Sequence, residues 1–235
     1  RCWPADRVWQ GTSSKPRNPT AATERKVFLV DRPNSVQTTL ALGNIAIDRL
    51  NPDYPSMVVM NHVIGGGASS RLFLNLREEK GYTYGVYSDF SALRYAGPWR
   101  AGGNLRTEVT QGALTEFFNE IRRIQDEKVP AAELEASKRS IVASFALSLE
   151  QPARVLSFAI AIKLYGLPAD YWDAYPAKIM AVSADDVQRV ARKYLNPDSL
   201  QVVAVGDADK IKPILEQYGK VEVFDANGVP LGAKP

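Results

Sequence analysis

Cysteine is nearly absent from this 235-residue chain: Cys2 is the only one. A single thiol excludes an internal disulfide and any CxxC metal site, and it leaves the redox compartment open. Histidine is equally scarce, since His62 stands alone. Two imidazoles one helical turn apart, a common grip on a catalytic metal, are therefore not available. The positions three and four residues beyond His62 are Gly65 and Gly66, which carry no ligand atoms. His62 reads as a helix-end residue whose charge answers the helix dipole. No apolar run reaches the roughly 20 residues of a membrane-spanning helix; Asn61, Lys163 and glycines interrupt the best candidates. Nor does one sign of charge dominate. Lys and Arg number 29 against 26 Asp and Glu, a net +3, and no long basic run offers a nucleic-acid footprint. There is no Gly-x-Ser-x-Gly elbow, and no Gly-Lys-Ser/Thr follows Gly65-Gly66-Gly67. This argues against a serine hydrolase and against a phosphate loop.

What is present is ordinary for a globular protein: 45% hydrophobic and 23% charged residues. The chain opens on Arg1 without an apolar signal core and reads as a fragment of a longer protein or a processed product. Residues 1–24, rich in Pro, Ser, Thr and basic residues around Trp3 and Trp9, read as a linker or tail. Residues 25–235 read as one α+β domain. A strand over 26–31, a turn at 32–35 and a strand over 37–46 suggest a hairpin. A helix opens at Asn51-Pro-Asp-Tyr-Pro and stops at Gly65. Further along, Ala113, Leu114, Phe117, Phe118, Ile121 and Ile124 form a helical stripe. Pro130 starts another helix, Gln151-Pro152 breaks it, and a further helix runs to about Tyr165. Ser183-Ala-Asp-Asp186 resembles a capping box. Leu200–Val205 is nearly uniformly apolar, as in a strand buried on both faces or central to a sheet. The last ten residues look frayed.

One stretch organises the rest: His62, the three glycines, Ala-Ser-Ser, then Arg71-Leu-Phe-Leu-Asn-Leu-Arg77-Glu-Glu-Lys-Gly-Tyr-Thr-Tyr84-Gly. Ser69 or Ser70 can cap a short helix whose apolar face is Leu72, Phe73 and Leu76. Gly81 supplies the left-handed stop. Beyond it, Tyr82, Tyr84, Val86, Ser88 and Phe90 alternate with Thr83, Gly85, Tyr87 and Asp89, a strand period. A strand doubling back along the helix would bring Arg77 and Tyr84 to similar height. Guanidinium and phenol could then both donate to a carbonyl, a carboxylate or an oxyanion. The plainer reading is an arginine complementing a helix dipole and a tyrosine with a wet tip.

The run from Ile64 to Gly85 resembles the second domain of the M16 peptidases, the insulinase, pitrilysin and mitochondrial processing group. The resemblance rests on the glycines, Ser-Arg-Leu-Phe and the Arg/Tyr pair seven residues apart. It implies an antiparallel sheet with helices packed on one side, of the LuxS/MPP-like metallohydrolase type. It also implies that Arg77 and Tyr84 bind substrate backbone and support the transition state. In such relatives a glycine-rich segment at the place of Gly65, Gly66 and Gly67 contacts substrate; a tight helix–helix turn accounts for it equally. The family's zinc motif, His-x-x-Glu-His, cannot be formed with one histidine. No metal is expected in this chain, and zinc is expected in a partner domain, upstream or on a separate subunit.

The resemblance thus implies the non-zinc-binding half of a zinc metallopeptidase, inactive alone, binding an extended peptide substrate. Nucleic acid and membrane are not expected partners, and location leans to the bacterial periplasm. The alternative is a non-catalytic M16-like scaffold or assembly subunit.

Overall fold

The computed structural model describes residues 19–231. Cys2, Trp3, Trp9 and most of the expected tail lie outside them, as do residues 232–235. Six strands form one sheet: β1 Val27–Asp31, β2 Gln37–Ile45, β3 Thr83–Phe90, β4 Pro98–Arg106, β5 Gln201–Gly206 and β6 Val221–Phe224. Their order is β3-β4-β2-β5-β1-β6. From β3 to β5 every pairing is antiparallel, but β1 runs parallel to both β5 and β6. The sheet is therefore mixed, which corrects the expectation of a wholly antiparallel one.

The expected β1–β2 hairpin does not form. Its turn is real: the Ser35 N–H donates to the Arg32 carbonyl at 3.1 Å, and Asn34 takes a left-handed φ of 64°. The turn spans two strand spacings, about 9.6 Å, instead of one. β5 fills the gap, pairing with β1 on one side and β2 on the other.

Strand alternation explains why the helices sit on one side. Val27, Leu29, Leu40, Leu42, Val86, Trp99, Ala101, Leu105, Val202 and Ala204 are buried. Between them Thr39, Tyr87, Arg100, Asn104 and Val203 are exposed. The second side chain of each pair points to the opposite sheet face, so one face carries the core and the other is open. Helix α1, Tyr54–Gly65, lies centrally over the covered face and contacts β3 and several other helices. Met57, Val59, Met60, Val63 and Ile64 are buried on it. Gly65 lets its end press on β3, where a Cβ would collide with Ser88.

The remaining layer comprises α2 Arg71–Phe73, α3 Thr110–Asp126, α4 Ala131–Ser148, α5 Pro152–Tyr165, α6 Tyr175–Met180, α7 Ala184–Tyr194 and α8 Ala208–Leu215. The expected stripe on α3 is buried throughout. The capping box on α7 forms in both directions. α5 is the exception: none of its residues is buried. It is held through Phe158, whose ring lies 4.3 Å from Trp172 and 5.5 Å from Phe145. Among the described residues no single helix is long and apolar enough to cross a membrane. α4 and α5 reach that length only together, bent by 105°. Residues 225–231 are not frayed: the Asp225 N–H donates to the Val229 carbonyl at 2.8 Å, and Pro230 bridges back to Phe224.

Candidate functional site

The organising stretch departs from a simple helix in a way that shapes the site. After α2, residues Leu74–Glu79 form a π-helical turn. The Lys80 N–H reaches the Asn75 carbonyl at 3.0 Å and the Tyr82 N–H reaches Leu76 at 2.8 Å. The wider turn leaves Leu72, Phe73 and Leu76 buried, and such turns often mark functional places in helices. Gly81 does take the left-handed conformation, at φ 62°. The capping expectation fails. Ser70 occupies the N-cap position, but its hydroxyl is buried and makes no hydrogen bond among the described residues. Its backbone carbonyl accepts from Leu74 instead, at 2.9 Å.

Two contacts that the sequence did not announce pin this stretch. Arg71 donates through Nε and Nη2 to the two carboxylate oxygens of Glu133, at 2.8 and 2.9 Å. Burial alone would pull the Arg71 pKa down; the Glu133 bonds more than reverse it. Asn75 donates to both Glu116 and Glu120 at 2.9 Å. These partners are 41 to 62 residues away along the chain, so no local spacing signals them.

Arg77 projects from the π turn. Its guanidinium lies 4.9 Å above the Phe73 ring, and Nε stands 3.4 Å from Glu78. The Phe73 ring in turn leans on Tyr87, at 5.5 Å between centroids. The arginine side chain keeps 44% of its surface in solvent.

Tyr84 reaches the site through a bulge. Thr83 pairs with Leu105 and Val86 with Gly103, so Tyr84 and Gly85 together stand opposite Asn104. The Thr83 hydroxyl fastens this extra residue: it donates to the Asn104 carbonyl at 2.6 Å and accepts from the Gly85 N–H at 3.1 Å. The strict alternation expected from the sequence therefore fails here. Val86 and Ser88 are buried, whereas Tyr84 is 88% exposed. A bulge re-aims a side chain in just this manner.

Arg77 and Tyr84 line one recess of about 730 Å³, with Gly81, Asn104, Arg106 and Glu108 among its other walls. The structure thus brings the two expected site residues together. A guanidinium and a phenol over one opening can both donate to a carbonyl or carboxylate oxygen.

The three glycines are elsewhere. Gly66 and Gly67 line a different recess of about 680 Å³ with His62, Ser69 and Arg154, sharing no residue with the first. Gly65 is buried against β3. His62 sits in the last turn of α1, but its Nδ1 is buried without a hydrogen bond among the described residues. Burial pushes its pKa down, which works against the expected dipole-answering charge. Among the described residues no group of three or more His, Cys, Asp or Glu could hold a metal ion. The described residues do not fit a zinc site.

Residues 3–141 match the family described as the peptidase M16 inactive domain. An uncharacterized zinc protease, YmxG of Bacillus subtilis strain 168, is 29% identical over 60% of this chain and 34% of its own length. A non-peptidase homolog, also YmxG, of Helicobacter pylori is 24% identical over 71% of this chain and 38% of its own. The crystal structure of a peptidase M16 inactive domain from Pseudomonas fluorescens superposes with a TM-score of 0.75 at 28% identity. It covers 81% of this chain and 45% of that one. The chain therefore spans less than half the length of these relatives. With the match running over more than half of its residues, this chain belongs to the peptidase M16 inactive-domain family.

Proposed function

We propose that this chain is the substrate-holding half of an M16-type zinc metallopeptidase. The observation behind the reading is that Arg77 and Tyr84 open into one recess beside the edge strand β3. Arg77 binds a carbonyl or carboxylate of an extended peptide. Tyr84 donates to the oxygen that gains negative charge. The bulge frees the phenol, and Phe73 supports the guanidinium without neutralising it. Zinc belongs to a partner domain in the same protein or on another subunit; the shortness of this chain beside its relatives leaves room for one.

The test reconstitutes the chain with its zinc-bearing partner and measures peptide turnover. Losing one preorganised oxyanion donor costs about 2.7–4 kcal/mol, or about 10²–10³ in kcat. Tyr84→Phe and Arg77→Ala should each approach that loss with an unchanged circular dichroism spectrum. Wild-type rates in both variants would remove the assignment. The 235-residue chain alone should show no zinc-dependent peptidase activity.

A second reading, a non-catalytic scaffold, draws on the Helicobacter pylori relative described as a non-peptidase homolog. It predicts that the assembled protein holds no zinc and cuts no peptide.

A further inference from the structure

We propose that Arg49 forms the cationic floor of a binding site for an organic carboxylate with an apolar body. The site is independent of the Arg77–Tyr84 reading. It lies where the turn after β2 meets α1 and α6, in a recess of about 520 Å³ that shares no residue with the Arg77–Tyr84 opening.

Arg49 is only 8% exposed, and its Nε and Nη2 are buried without a hydrogen bond among the described residues. No carboxylate of the described residues lies within ion-pair distance of it. Its guanidinium is instead boxed by aromatic faces, 3.9 Å from the Tyr54 ring and 5.1 Å from both Tyr171 and Trp172. Such faces attract a cation but accept hydrogen bonds poorly. A buried charged donor without an acceptor is costly.

Arg71 provides the internal contrast. Its Nε/Nη2 edge is filled by Glu133 in a two-point pair. The same edge of Arg49 has no such partner. A planar carboxylate matches that edge with two parallel bonds.

The recess around Arg49 suits an anion with an apolar body. Arg189, on its wall, is already committed to Asp53 at 2.7 Å and Asp186 at 3.3 Å. Lys178 is not paired with a carboxylate among the described residues; its Nζ lies 5.0 Å over Tyr171. Two cations therefore stand without a carboxylate partner among the described residues at one opening, beside Leu167, Pro168 and Val182. Arg49 already lines the recess, and a ligand seated there meets its free edge once that buried edge turns outward.

The experiment titrates the full chain with 3-phenylpropionate, with its neutral primary amide and with inorganic phosphate, by calorimetry and thermal shift. The acid should bind saturably and raise Tm, and the amide should not. Hydrogen bonds to a charged group contribute about 1.5–3 kcal/mol, so Arg49→Gln should weaken binding about 10- to 100-fold. Lys178→Gln, an exposed change that leaves folding intact, should weaken it a few-fold. Equal binding of acid and amide, an undiminished affinity in Lys178→Gln and Arg49→Gln, or no binding of the acid would overturn the site. Phosphate binding in place of the acid would overturn the assigned ligand class. The amide control and Lys178→Gln decide the matter even where Arg49→Gln does not fold.

Discussion

Helices α7 and α5, separated in the sequence by the short α6, are opposites in how they are held. α7 has a narrow apolar stripe, and all of Val187, Val190 and Ala191 on it are buried. Its first turn is closed by Ser183 and Asp186, each bonding the other's backbone N–H at 3.1 Å. Its outer face is tied to α1: Asp53 accepts from Arg189 at 2.7 Å, Lys193 at 3.0 Å and Tyr194 at 2.7 Å. α5 is richer in apolar residues, has no side-chain cap and buries none of its length. Val155, Leu156, Ile160 and Leu164 are between 45% and 60% exposed. The lesson is that a helix finds its place through the contrast between its faces. Apolar content without such contrast does not orient it.

That contrast can be broken from the α7 side or sharpened from the α5 side. Leu195, fully buried at the end of α7, should give the largest effect. Leu195→Ala should cost about 2–5 kcal/mol in urea unfolding. Asp53→Asn should cost about 1.5–3 kcal/mol at neutral pH by weakening charge-assisted bonds. Its pH dependence has a definite sign. Burial would raise the Asp53 pKa, but the bonds from Tyr194, Lys193 and Arg189 outweigh it and hold the carboxyl at about 2, against 3.8 ordinarily. A carboxyl depressed in the folded state stabilises fully above its unfolded pKa and loses that contribution as pH falls through the folded one. Wild type and Asp53→Asn should therefore converge in stability between about pH 4 and pH 2 in acid titrations followed by circular dichroism. Ser183→Ala should cost about 1 kcal/mol by opening the capping box. Smallest of all, Leu156→Gln and Ile160→Gln should each move stability by no more than about 0.5 kcal/mol. A loss several times larger at either would erase the difference between the two helices.

The same physics decides what was legible in the sequence. α3, α7 and the central strand β5 could be read because period and burial agree in each. Gly81 could be read because a left-handed helix stop favours glycine. That Arg77 and Tyr84 line one recess agrees with what a doubled-back strand would do, but their placing runs through a π turn and a bulge that period-counting misses. The β1–β2 hairpin misled because a turn specifies a reversal of direction and not which strand will lie alongside. That choice belongs to β5, some 170 residues later. Arg71 with Glu133, and Arg49 within its rings, were not legible. Side chains far apart in the chain meet only once the core has formed.

Thr83 gives one small hydroxyl an unexpected reach. Tyr84 and Val86 are two residues apart yet face opposite sides of the sheet, because the span that Thr83 fastens holds one residue more than its partner strand. Were the same residues to pair without the bulge, the phenol would fall on the face of Val86, which is the covered one. Orientation of the proposed donor thus depends on one extra residue in the strand and on the single hydroxyl that holds it there.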